Sequence, residues 1–122
     1  MMSALARHGF PEEALSLFHQ MKQEGVHLDQ FTFSSVLPTC VDLESLEHGM
    51  QIHEEIIECG YHSNVFVMSA LVDMYAKCGS IEKSREEFDK MSERNVVSWR
   101  DMIAAYSRHG LPKEALALFL QM

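Results

Sequence analysis

The chain has 122 residues and a net charge of −8, from 18 acidic and 10 basic side chains. Apolar residues make up 47% and charged residues 23%, which fits one folded domain with a sizeable core and excludes a disordered chain. No apolar run approaches the roughly 20 residues that span a bilayer, and the acidic balance argues against tight, sequence-blind binding to a phosphate backbone.

The first nine residues carry neither a secretory signal nor an Arg- and Ser-rich transit peptide. Residues 7 to 21 read RHGFPEEALSLFHQM and recur at 108 to 122 as RHGLPKEALALFLQM, with eleven of fifteen positions identical. Such self-similarity is the signature of a repeat architecture. The interval between the two copies divides at Gln30, Val65 and Val96, so the chain reads as blocks 1–29, 30–64, 65–95 and 96–122.

Each block predicts helices. In the first, Pro11 suits an opening helical turn, Glu12 and Glu13 face the positive end of the helix dipole, and Gly25 closes the run. The second holds a long amphipathic stretch closed by Gly60. In the third, Val67, Ala70, Leu71, Met74 and Tyr75 fall at helical spacing, Gly79 ends that helix, and Ser80 is placed to cap the next. Ile81, Phe88 and Met91 mark the buried face of that next helix. The fourth block repeats the opening signal with Pro112 and Glu114. No segment alternates with period two for long enough to form a strand, so the fold is all-α, a stack of antiparallel helix pairs.

Charge is uneven along this stack. Block 30–64 has no Lys or Arg and six acids (Asp42, Glu44, Glu47, Glu54, Glu55, Glu58), whereas block 65–95 has five bases and six acids. Contact with a polyanion is therefore electrostatically most favourable from Val65 onward. The cysteines Cys40, Cys59 and Cys78 are odd in number and form no CxxC pair, so they read as reduced thiols packed as small apolar groups. His48, His53, Cys59 and His62 crowd one stretch, but without a second thiol pair they do not define a metal site. No nucleophile elbow, phosphate loop or HxE…PCxxC pattern is present, so no catalytic residue and no cofactor is assigned.

The stretch VFVMSALVDMYAKCGSIEKSREEFDKMSERN, followed by VVSWRDMIAAYSRHG and EALALF, resembles the pentatricopeptide repeat proteins of land plants. The block lengths are similar to the PLS subclass, in which 35-residue P, 35-residue L and 31-residue S motifs alternate. The 34-residue tetratricopeptide pattern fits poorly, since Trp99 precedes no W-x₂-L-G-x₂-Y spacing. The resemblance implies a right-handed α-solenoid of helix-turn-helix repeats, with 1–29 a partial P repeat, 30–64 an L repeat, 65–95 an S repeat and 96–122 a partial P repeat.

It further implies that the first helices line a groove in which each repeat meets one base of single-stranded RNA. The base-selecting positions carried over are Ser34 with Asn64 and Ser69 with Asn95, together with Asp29 and Arg100, whose partners fall outside the chain. Ser with Asn resembles an adenine-preferring pair. Arg100 departs from the Asn, Ser or Thr common there and is left without a base. Read from the residues alone, Ser34 and Ser69 are small helix-surface residues, and Asn64 and Asn95 are turn residues.

Phe31, Phe66 and Val97 occupy an apolar position that stacks between bases in the family. Core packing at a helix start is the other reading, evenly matched for Phe66 and the expected one for Phe31. The resemblance places the protein in a mitochondrion or chloroplast, as the recognition part of an RNA-processing or C-to-U editing factor, with editing cofactor proteins as further partners. The alternative is a scaffold that binds protein through the acidic 30–64 block. Because both outer helix pairs are cut, apolar patches are expected around Leu5 and Phe18 at one end and Leu118 and Phe119 at the other, with self-association.

Overall fold

The computed structural model describes residues 11–122. Seven helices follow one another, with no strand among the described residues: α1 (Pro11–Gln23), α2 (Gln30–Asp42), α3 (Leu46–Glu58), α4 (Val65–Lys77), α5 (Ile81–Lys90), α6 (Val96–Arg108) and α7 (Pro112–Gln121). None of them is long and apolar enough to cross a membrane. α2, α4 and α6 are each 13 residues long, so they form matching rungs of about 20 Å.

Their connections are made by backbone chemistry. After α4, Gly79 (φ 92°) turns left-handed, and the Gly79 and Ser80 amides donate to the Ala76 and Tyr75 carbonyls, satisfying groups the helix leaves open. The same pair of bonds closes α2, where the Glu44 and Ser45 amides donate to the Val41 and Cys40 carbonyls. There the left-handed position is held by Glu44 (φ 51°), a side chain that disfavours it. Ser80 does precede α5, but its side chain makes no capping bond.

α2, α4 and α6 pack directly on one another in a row, α2 against α4 and α4 against α6. α1, α3, α5 and α7 each pack only on members of that row, and no two of them approach within 8 Å at Cα. The stack is therefore tight along one edge and splayed along the other, a helical solenoid with an inner and an outer side. Across the outer gaps the links are polar: Lys22 pairs with Glu55, and His53 Nε2 lies 3.1 Å from Glu87 Oε1.

The core runs the length of the stack through edge-to-face aromatic contacts, Phe18 on Phe33 at 6.1 Å and Phe33 on Tyr61 at 5.6 Å. Further along, Phe88 meets Trp99 at 5.1 Å, with the Arg94 guanidinium over both rings. At α3 the backbone runs close beneath α4: a Cβ on Gly49 would meet the sulfur and methyl of Met74, and that side chain would have to move. Phe88 and Met91 are buried and Ile81 is half-buried, as the spacing of the third block predicts.

Two of the expected apolar patch residues lie elsewhere. Phe18 is covered by Phe33 of α2, and Leu118 is buried on the side of α7 that packs against α6. Leu5 lies outside the described residues. The exposed apolar face of α7 consists of Leu116, Phe119 and Leu120. The internal duplication explains it: Leu116 and Phe119 correspond to Leu15 and Phe18, and Phe18 is 1% exposed under its neighbouring pair whereas Phe119 is 61% exposed without one.

Candidate nucleic-acid interface

The three residues that precede the first helices of the pairs act alike. Asp29 accepts from the Thr32 amide at 2.9 Å, Asn64 from the Phe66 and Val67 amides at 3.0 and 3.1 Å, and Asn95 from the Ser98 amide at 2.8 Å. Each is an N-cap, so a short side chain bearing an oxygen is required there whatever else it does. The Thr32 backbone N–H and then the Thr32 hydroxyl hold the Asp29 carboxyl below its usual range.

Capping uses only the oxygen of an asparagine. At Asn95 that oxygen also receives a long 3.4 Å bond from the Ser69 hydroxyl, and the Nδ2 amine has no hydrogen-bond partner among the described residues. At Asn64 the amine donates to Gln30 Oε1 at 2.7 Å. Ser69 is not a surface residue: it is 4% exposed and sits on α4 against the start of the next pair.

An open cavity of about 350 Å³ on the inner side brings five of the nine sequence-predicted residues together. Ser69 and Asn95 line it, flanked by Phe66 and Val97, with Ser34 from α2 at its edge. Asn64, Asp29 and Arg100 do not line it, and Arg100 is exposed on α6. Phe31 is 71% exposed and Phe66 61%, and Val97 is also exposed, so the core reading of Phe31 is overturned. All three lie in the first helical turn and present exposed apolar side chains.

Two carboxylates that the motif reading omits share the cavity. Asp73 lines it and forms an i,i+4 pair with Lys77 at 3.1 Å. Asp101, one residue after Arg100, lines it with no hydrogen bond or ion pair among the described residues. Burial pushes the Asp101 carboxyl up to about 6, and the Asp73 charge adds to this. A carboxylate pair in this groove has no counterpart in the short motif, and its only sequence signal is the helical position of Asp101, next to Arg100 and six residues after the Asn95 cap.

The histidines of block 30–64 are engaged elsewhere. The Ser45 hydroxyl is 2.7 Å from His48 Nδ1, and His53 lies between the Tyr75 hydroxyl and Glu87. His53 and His62 border a second cleft, of about 410 Å³, between α3 and α5 on the outer side, which contains none of the nine sequence-predicted contact residues.

A stack of paired helices with an inner groove of small polar and exposed apolar side chains defines a helical-repeat recognition protein. A family model described as the PPR repeat family matches residues 1–42, and one described as the PPR repeat matches residues 66–96 and 97–122. The chain belongs to the pentatricopeptide repeat family, whose members are generally RNA-binding organellar factors. It is 39% identical over its whole length to a mitochondrial pentatricopeptide repeat-containing protein of Arabidopsis thaliana, and 42% identical to a chloroplastic one. A third from the same plant, whose name gives no compartment, is 43% identical. The chain spans 17%, 23% and 15% of these relatives respectively.

Proposed function

We propose that the chain is a segment of a sequence-specific single-stranded RNA-binding array of the PLS subclass, with 1–29, 30–64, 65–95 and 96–122 as its P, L, S and P units. The observation that carries this reading is the shared cavity of Ser69, Asn95, Phe66 and Val97. Its unspent Asn95 amine can donate to a base edge, the Ser69 hydroxyl can donate or accept, and the two flanking apolar groups are exposed for stacking. Ser69 with Asn95 is the adenine-preferring pair that the cavity favours, the motif gives Ser34 with Asn64 the same preference, and Asp29 and Arg100 are half-pairs whose partner positions in their own repeats lie outside residues 1–122, with no base assigned to Arg100. In an organellar processing or C-to-U editing factor such a segment supplies recognition and leaves chemistry to other parts.

The test is Ser69→Asn with the 65–95 unit placed in a longer designed array, measured against RNAs that vary a single base. An added carboxamide fills the space a purine needs, so preference should move from adenine to a pyrimidine, with discrimination of about 1 kcal/mol. Identical base rankings before and after the change defeat the site assignment.

A second reading rests on α3, where Met50 and Ile57 are exposed beside exposed Glu47, Glu54 and Glu58. That face suits a protein partner with a basic rim, such as an editing cofactor. Salt separates the two: RNA binding falls steeply through counterion release, while an apolar protein contact responds little.

A further inference from the structure

The two complete asparagine caps differ in one respect that composition hides. Asn64 is engaged at both ends, its oxygen accepting from the Phe66 and Val67 amides and one of its two side-chain N–H groups donating to Gln30 Oε1 at 2.7 Å. Asn95 keeps its amine free, because the residue equivalent to Gln30 at the start of α4 is Val65, which cannot accept a hydrogen bond. The third residue of this series, Val96 at the start of α6, is also valine.

We propose that Gln30 is a specificity-determining residue: by holding the Asn64 amine in an intramolecular bond, it mutes base selection at the α2 site while the α4 site stays open. This rests on the RNA reading proposed above. The Gln30 bond fixes the Asn64 carboxamide in one orientation with a single N–H left to offer, and turning it toward a base edge exchanges one neutral hydrogen bond for another, so a correct and an incorrect base differ less in affinity there. At Asn95 no such bond is lost, and the correct base keeps the full advantage.

The experiment uses the 122-residue chain at low salt with short RNAs in which each base in turn is varied. The unaltered chain should discriminate at one position only. Gln30→Val, which copies the residue at the start of α4 and α6, should add discrimination of about fivefold at an adjacent position and leave the first ranking unchanged. Gln30→Glu keeps an acceptor and should leave the second position silent. Equal discrimination at two adjacent positions in the unaltered chain, or an unchanged pattern in Gln30→Val, overturns the proposal.

A second readout needs no RNA. The Asn64 side-chain amide should exchange slowly in nuclear magnetic resonance spectra and speed up in Gln30→Val; the same rate in both chains overturns the clamp. Slow exchange together with no discrimination at any position in either chain instead overturns the RNA reading, and the assignment of specificity to Gln30 with it.

Discussion

At the scale of single residues, the asparagines before α4 and α6 serve the fold and the groove with different atoms. Asn95→Asp keeps the capping oxygen and removes the free amine, so stability should change by less than about 0.5 kcal/mol while base ranking at the α4 site changes. Asn95→Ala should instead cost about 1 kcal/mol in a denaturant titration. Asp101 makes a different prediction. Its carboxyl titrates near 6, so it is mostly ionised at pH 7.5 and mostly neutral at pH 5.5. Protonation removes a negative charge from the groove wall, and RNA should bind more tightly as pH falls, by about fivefold at low ionic strength. The diagnostic result is the difference between the two chains: Asp101→Asn should bind more tightly at pH 7.5 and show a flatter profile. For folding the sign is the same, because a carboxyl raised above its unfolded value gives most stability at low pH and loses it as pH rises through about 6.

At the scale of helices and turns, Glu44 is the exception among otherwise similar closures. Gly25, Gly60, Gly79 and Gly110 hold the left-handed turns, and Glu44 holds the fifth at a steric cost. Glu44→Gly should raise stability by about 1 kcal/mol, read as an upward shift in melting temperature; a fall would mean that the Glu44 side chain makes a favourable contact. The helix pairs themselves were legible in the sequence, because glycines punctuate 3.6-residue periodicity and prolines mark two starts. What was not legible depends on partners distant in sequence. Phe31 looks like a core residue locally, yet in the first turn of α2 its side chain is exposed. Gln30 looks like an ordinary polar helix start until Asn64 is found beside it. Ser69 and Asn95 were singled out from the motif, while Asp101, adjoining Arg100, required the groove to be seen.

Across the whole molecule, the duplicated segment gives an internal control for what a neighbouring repeat contributes. Leu15 and Phe18 are buried under α2, and their counterparts Leu116 and Phe119 are bare. In the isolated 122-residue chain, an exposed face with the shape of an inter-repeat contact should draw a second copy onto it. Light scattering should show mass rising with concentration, and Phe119→Glu should restore the monomer without loss of thermal stability, since that side chain is already in water. A strict monomer at millimolar concentration contradicts this.

The uneven stacking of the two helix rows has a mechanical consequence. Along α2, α4 and α6 neighbouring rungs share packed side chains, and any change in their separation strains close-packed contacts. Along α1, α3 and α5 the backbones stand farther apart, and among the described residues Lys22–Glu55 and His53–Glu87 are the ion pairs that bridge the gaps. The molecule is thus hinged like a fan: stiff at the edge where a strand would lie, and free to open or furl at the other. Its inner spacing can be kept while its overall coil tightens or relaxes.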